Sequence, residues 1–268
     1  MRLPDDSAHG SPARFRPLVR WPGGKTRLLS KILPLIPPHV CYCEPFAGGL
    51  AVLLAKPRSK IEVVNDLNGD LVALYRCAQY HLDELCRELE FMIGSRRNLV
   101  DYVAQPGITD IQRAARFLMR NKTSFAGNMA SFGVSKTGGG AASSRANVLL
   151  TLRELNRRMD SVSVENVSYE RMFKNYDAPA TFFFIDPPYL ESKASTYAGF
   201  SQDQMREFAD RVSGLKGSWI VTVDDSEFNR DLFRRHRLTA VTTRNGALNQ
   251  KQARNQRYFG ELIIRPRA

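Results

Sequence analysis

Short strand patterns alternate with helical ones along most of this chain, and few folds accommodate that order. Val40 to Phe46 is apolar and ends at Gly48-Gly49, so it reads as a strand, a tight turn and a helix from Leu50 to Ala55. Ile61 to Val64 is β-branched and stops at Asn65-Asp66, ahead of a helical pattern with apolar Leu67, Leu71, Leu74 and Tyr75. Strand patterns return at Val162 to Val164, Thr181 to Ile185 and Trp219 to Val223. Between and after them, Ser201 to Val212 and Ser226 to Arg235 are helical, each opening on a serine that can cap it. Leu238 to Thr243 and Tyr258 to Ile264 read as a closing hairpin. The alternation predicts an α/β protein with a doubly wound, mostly parallel sheet.

One stretch breaks the rhythm. Residues 80–160 hold helical patterns at Leu82 to Ile93 and Asp110 to Met119, then a Gly/Ser-rich loop from Phe125 to Asn147. A loop of that length inside a compact domain is unusual and often functional. Residues 80–160 are therefore read as an inserted, mainly helical domain, and 17–79 with 161–268 as the sheet domain. Residues 1–16 lack the apolar core of a signal peptide and read as a short polar arm.

Composition narrows the partners. With 39 basic and 27 acidic residues the chain carries +12, which favours a polyanion: nucleic acid first, an anionic membrane surface second. The two sheet segments 40–75 and 166–224 together carry −3, so +15 lies on the arm, the insertion and the tail. No apolar run approaches the ~18 residues of a membrane span. Cys41, Cys43, Cys77 and Cys86 have poor zinc spacing and read as reduced thiols in a cytoplasmic protein, with no metal site expected.

The strongest chemical signal is Phe182-Phe183-Phe184-Ile185-Asp186-Pro187-Pro188-Tyr189. A buried apolar strand runs into a turn stiffened by two prolines. The Asp186 carboxylate and a backbone carbonyl can face one point at the strand end. Two converging acceptors suit an NH₂ group, and Tyr189 offers a face for the base that carries it. An exocyclic amine is a poor nucleophile because its lone pair is delocalised into the ring. Accepting its two N–H bonds localises that pair and stabilises the positive charge that grows as nitrogen attacks a methyl sulfonium.

Two weaker signals accompany it. Glu44-Pro45-Phe46-Ala47-Gly48-Gly49 closes the first strand with small residues that let backbone approach a ligand, and Asp66 ends the next strand at about the spacing of a ribose-binding carboxylate. The glycines do not form G-x-G-x-x-G, which disfavours nicotinamide. Gly-Gly could equally close a turn and Asp66 cap a helix. Trp21-Pro22-Gly23-Gly24-Lys25-Thr26 ends like a phosphate-binding loop, but Val19 stands where that loop needs glycine. Trp21 and Lys25 instead offer a stacking face and a cation.

Together these segments resemble the Dam-type DNA adenine-N6 methyltransferases. They run in family order: Trp-x-Gly-Gly-Lys, Glu-Pro-Phe-x-Gly-Gly, Asn65-Asp66-Leu67-Asn68, an insertion, Asp-Pro-Pro-Tyr and a last strand with Gly260-Glu261-Leu262. The resemblance implies a Rossmann-like methyltransferase sheet that binds S-adenosylmethionine and an inserted target-recognition domain. It assigns cofactor contacts to Trp21, Lys25, Glu44, Pro45, Phe46, Gly48, Asp66 and Asp186. It assigns the extruded adenine to Asp186, Pro187, Pro188 and Tyr189, with double-stranded DNA as partner; acting alone on DNA needs no dimer, so a monomer is expected. Basic and polar residues of the insertion, Arg113, Arg116, Arg120, Asn121, Lys122, Lys136 and Arg145, are candidate DNA contacts. Arg244, Lys251, Arg254 and Arg257 flank a polar loop that can also meet the duplex, and Tyr197 and Phe200 are candidates for a lid over the base. The insertion departs from the family's Arg-Tyr-Asn, since Arg120 is followed directly by Asn121. By the residues alone, cytosine N4, RNA adenine and a non-catalytic nucleic-acid binder remain open; Asp186 in place of serine favours adenine by resemblance.

Overall fold

The computed structural model describes residues 15–92, 95–124, 127, 129, 144–190, 199–244 and 258–267. Seven strands form one sheet: β1 (Cys41–Glu44), β2 (Ile61–Asn65), β3 (Val162–Glu165), β4 (Thr181–Ile185), β5 (Ser218–Asp224), β6 (Arg237–Arg244) and β7 (Tyr258–Arg265). Their order is β3-β2-β1-β4-β5-β7-β6. The first five run parallel, and β7 lies antiparallel between β5 and β6, closing the expected hairpin.

Ten α-helices are described: α1 (Leu29–Ile32), α2 (Ala51–Ala55), α3 (Gly69–Tyr80), α4 (Leu82–Glu90), α5 (Arg96–Ala104), α6 (Asp110–Thr123), α7 (Arg145–Met159), α8 (Tyr169–Tyr176), α9 (Gln202–Ser213) and α10 (Glu227–Leu232). Local chemistry sets many of their starts. Asn68, Thr109, Ser144, Ser168, Ser201 and Ser226 each accept a backbone N–H of the helix they precede, and Ser201 with Gln204 makes a full capping box.

Strand β4 shows how the layers are divided. Successive side chains point to opposite faces, so Phe182 and Phe184 enter one core cluster while Phe183 and Ile185 enter the other. All five β4 residues are buried, and each large apolar side chain contributes roughly 1.5–3 kcal/mol. A strand apolar on both faces is stable only beneath two helical layers. Here α8, α9 and α10 cover one face, and α2, α3 and the insertion helices cover the other.

Residues of the expected insertion take part in that second layer. Leu85, Leu89, Ala114, Phe117 and Leu118 of the insertion share one buried cluster with Tyr42, Phe182 and Phe184 of the sheet. The helices of 80–160 thus extend the sheet's own core. Helix α7, placed by sequence inside the insertion, is the crossover helix that leads into β3, and it takes in Arg145 to Asn147 at the end of the expected loop. Leu67, read as a core position, is 67% exposed because α3 begins two residues later under its Asn68 cap.

The Gly/Ser-rich tract with Phe125, Phe132, Gly133 and Lys136 lies outside the described residues. So do residues 1–14, Tyr197 and the tail segment with Lys251, Arg254 and Arg257. Among the described residues no helix is long and apolar enough to cross a membrane, and no cluster of His, Cys, Asp and Glu could hold a metal ion. The four cysteines are free thiols.

Candidate active site

Strand order reverses between β1 and β4, and ligands of such sheets bind at the carboxyl ends of the strands on either side of that point. A cavity of about 470 Å³ opens there. The sequence-predicted residues Trp21, Lys25, Glu44, Phe46, Gly48, Asp66 and Asp186 to Tyr189 all line it. Pro45 does not: its carbonyl accepts the Asn65 side-chain N–H at 2.8 Å, which ties the ends of β1 and β2 together.

The floor begins at Gly48, whose N–H donates to Asp66 Oδ2 at 3.0 Å and whose carbonyl accepts the Tyr75 hydroxyl. Its φ is +45°, and a Cβ there would sit 2.7 Å from Trp21 Cδ1. Only glycine lets the indole meet this turn. Asp66 also accepts the Asn68 N–H at 2.9 Å. Asp66 therefore joins the two strand ends, while the cap of α3 is Asn68. Burial pushes the Asp66 carboxyl up, against the two N–H bonds that favour its charge.

Beside that floor, Phe46 packs within an aromatic group formed by Tyr169, Phe200 and Phe208, at ring-centre distances of 5.6, 6.2 and 6.3 Å. Phe200 lines the cavity, and a β-bridge pairs it with Leu190 just beyond the Asp-Pro-Pro-Tyr turn.

The opposite end of the cavity is ionic. Lys25 Nζ lies 2.8 Å from Asp186 Oδ2, donates to Tyr189 Oη at 2.9 Å and to the Gly23 carbonyl at 2.6 Å, and sits 3.5 Å from Glu261 Oε2. Thr222 on β5 donates to Asp186 Oδ1 at 2.8 Å. Burial pushes the Asp186 carboxyl above its ordinary value, while Lys25 and Thr222 pull it down. A carboxylate offers about four lone-pair sites, and two are used here, so acceptor capacity remains. Glu261 and Thr222 are site residues that sequence reasoning missed. The available signals for Glu261 were its place in Gly260-Glu261-Leu262, one of the segments that carry the family resemblance, and a lone carboxylate in an apolar strand.

Glu44 is buried at the end of β1 and accepts the Tyr42 hydroxyl at 2.8 Å. Burial, with the charge of Asp186 adding to it, pushes its carboxyl up to about 8. Between roughly pH 4.5 and 8 the folded protein holds a proton on Glu44 that the unfolded chain has released, so stability falls as pH rises across that window. Glu44→Gln is expected to flatten this slope. In urea melts at pH 6 and pH 9 the wild type should lose stability relative to the variant, by on the order of a few kcal/mol; parallel losses would refute the assignment.

The candidate DNA contacts of the insertion divide into two groups. Arg113 is bound to Asp70 at 2.8 Å, which ties α6 to α3. Arg116 donates to the Gln105 carbonyl at 2.6 Å and stacks on Tyr102. Asn121 is corrected from a DNA contact to a structural bond: it is fully buried, and its amide both accepts from the Arg20 N–H and donates to the Arg20 carbonyl, each at 2.8 Å. The end of α6 is thereby clamped to the residue preceding Trp21. Lys122 is buried, and burial beside the Arg20 charge brings its ammonium down to about 8. Arg120 is half-buried with its Nε unpaired in the described structure, and Arg145 is exposed at the start of α7.

A mostly parallel sheet with a reversed β7, carrying an acidic, aromatic-walled pocket at its switch point, defines a doubly wound, Rossmann-like α/β protein with a ligand site. Residues 21–245 match the D12 class N6 adenine-specific DNA methyltransferases, and the chain belongs to that family. It is 27% identical over 217 residues to the type II methyltransferase M.MjaIII of Methanocaldococcus jannaschii, covering 70% of this chain and 74% of that one. It is 24% identical to M.CviBI of Paramecium bursaria Chlorella virus NC1A, covering 82% and 86%. With the DNA adenine methylase of Haemophilus influenzae it shares 25% identity, covering 82% and 83%. The protein is an adenine-specific DNA methyltransferase, and its family implies dependence on S-adenosylmethionine.

Proposed function

We propose that the cavity binds S-adenosylmethionine beside an adenine turned out of duplex DNA, and that Asp186, Pro187, Pro188 and Tyr189 hold the base. The observation that carries this reading is the Lys25–Asp186 contact at 2.8 Å, which joins the Trp-x-Gly-Gly-Lys segment to the Asp-Pro-Pro-Tyr turn inside one cavity.

The residues present fit the cofactor. Asp66 keeps lone pairs for the ribose hydroxyls, Trp21 and Phe46 offer ring faces, Gly48 lets the ligand approach backbone, and the volume suits a nucleoside-sized molecule. When bound, S-adenosylmethionine supplies a methyl group activated by a sulfonium. Asp186 accepts an N–H of the adenine amine, with the carbonyl of the adjoining turn as second acceptor, so that the nitrogen lone pair localises. Lys25 and Thr222 keep the carboxylate oriented throughout. The proton leaves the amine after methyl transfer, so no strong base is required. Tyr189 supplies a stacking face in exchange for the stack the base has left, a loss of a few kcal/mol.

Arg120, Lys136 and Arg145 serve as phosphate contacts in this reading. From Ile111 to Arg153 the chain carries seven basic residues and no acidic one, which favours a polyanion along this stretch. The sheet domain (17–79 with 161–268) carries the chemistry, the helices of 80–160 meet the DNA, and one chain suffices.

The test supplies S-adenosylmethionine labelled on its methyl group together with unmethylated duplex DNA or duplex RNA. Label should enter DNA, and digestion should release it as N6-methyladenine. Label on RNA alone, or on cytosine, would remove the acceptor assignment.

A further inference from the structure

Glu261 is placed where a sheet-forming strand gains nothing from a carboxylate. Its neighbours Leu262, Ile263 and Ile264 are fully buried, and Glu261 itself is 7% exposed. Across the sheet it stands opposite Val241 on β6 and Asp224 on β5, and like charges facing each other destabilise a strand pair. Burying a carboxylate is costly unless it is paired and hydrogen-bonded. Its partners therefore show what it is for.

Those partners are Lys25 and Tyr189. An ammonium has three N–H donors, and the three closest acceptors of Lys25 are Gly23, Asp186 and Tyr189, at 2.6 to 2.9 Å. Glu261, at 3.5 Å, is held by Lys25 chiefly through charge. Its hydrogen bond comes from Tyr189, whose hydroxyl lies 3.3 Å from Glu261 Oε2. Because Lys25 donates to the tyrosine oxygen, the tyrosine O–H must turn to another acceptor, and Glu261 provides it.

We propose that Glu261 is a positioning residue: by accepting the Tyr189 hydroxyl it fixes the tyrosine ring as a wall of the base pocket. Pro188 holds the ring's inner end through the backbone, and the Lys25–Tyr189–Glu261 chain holds its outer end. This rests on the reading above that Tyr189 faces the target base. Losing the outer anchor leaves the cofactor residues at Asp66, Gly48 and Trp21 untouched, so the loss falls on turnover.

The experiment is a double-mutant cycle on the full chain with S-adenosylmethionine and unmethylated duplex DNA. Glu261→Gln keeps the volume and removes the charge; Tyr189→Phe removes the hydroxyl and keeps the ring. Each alone should lower kcat roughly tenfold to a hundredfold, the range spanned by a hydrogen bond to a charged acceptor, with cofactor Kd within about twofold. In the Tyr189→Phe background Glu261→Gln should have no further effect on kcat. Equal losses in both backgrounds, an unchanged kcat in Glu261→Gln, or a cofactor Kd that weakens in step would overturn the proposal. If Glu261→Gln does not fold, Tyr189→Phe decides alone, since an unchanged kcat there removes the role of the hydroxyl. Asp186→Ala run in parallel separates the two levels: activity retained in that variant refutes the site itself, whereas activity lost there with Glu261→Gln unchanged refutes only Glu261.

Discussion

Asp186→Ala should reduce methyl transfer to duplex DNA by at least about a thousandfold while non-specific DNA binding stays within a few fold. The size follows from the chemistry. The adenine amine becomes a nucleophile only as its lone pair leaves the ring, and the Asp186 carboxylate is placed to favour that state and the positive charge that follows. Deleting one preorganised group aimed at developing charge typically costs ~100- to 1,000-fold, about 3–4 kcal/mol of barrier. Here the same deletion also unbalances Lys25, leaving its ammonium to Tyr189, Gly23 and the more distant Glu261. DNA affinity should survive because the basic stretch Ile111 to Arg153 is elsewhere in the sequence. Single-turnover methylation beside a filter-binding titration measures both quantities. Near-normal turnover would sink the role of Asp186.

The largest effect on stability is expected far from the chemistry, at Glu62. This residue lies near the start of β2, the strand whose other end leads to Asp66. Its carboxylate takes two bonds from Arg158 at 2.6 and 2.9 Å and one from Lys56 at 2.5 Å, and all three residues are buried. Arg158 also donates to the Leu53 carbonyl at 2.7 Å, and Lys56 lies 4.3 Å from the centre of the Tyr42 ring. Burial alone would raise the Glu62 carboxyl, but the bonds from Arg158 and Lys56 outweigh it and hold it below its ordinary value. Its contribution is thus complete at neutral pH and is lost as the solution is acidified. Glu62→Leu leaves two buried cations facing one another without an anion. Breaking a buried pair in this way costs roughly 3–5 kcal/mol, which in a chain of this size lowers Tm by about ten degrees. Thermal melts at pH 7 measure it. A change of only a degree or two would mean that the cluster relaxes into solvent and does not join α7 to the sheet.

Glu62 and Glu261 mark where sequence reading stopped. Both are single carboxylates in apolar strands, and nothing local tells a buried, paired glutamate from one on a solvated edge. Asp186 was legible because its neighbours carry the message: an apolar strand, two prolines and an aromatic state both the conformation and the chemistry. Gly48 was legible as a close-approach glycine, although its contact with Trp21 was not. The arginines of α6 were read as candidate DNA contacts. Spacing reports the face of a helix and says nothing about what covers it, and Asp70 and the Gln105 carbonyl cover much of this one. The domain boundary at 80 rests on a similarly local signal. A change of pattern from strands to helices marks new local structure, while the buried surface that makes a domain depends on which helices then pack together.

Local order therefore came from the sequence: the strand and helix types, the serine and asparagine caps, the stiff Asp-Pro-Pro-Tyr turn and the family to which their succession belongs. These depend on residues a few positions apart, whose dihedral preferences and periodicities act before any tertiary contact forms. The meeting of Gly23, Asp186, Tyr189 and Glu261 around the Lys25 ammonium was decided only by the tertiary structure. Parallel strands deliver the carboxyl ends of β1, β2 and β4 to one edge, and the reversed β7 carries Glu261 in from the other direction. A buried charge acquires its partner only when such distant segments are brought within about 3 Å of it.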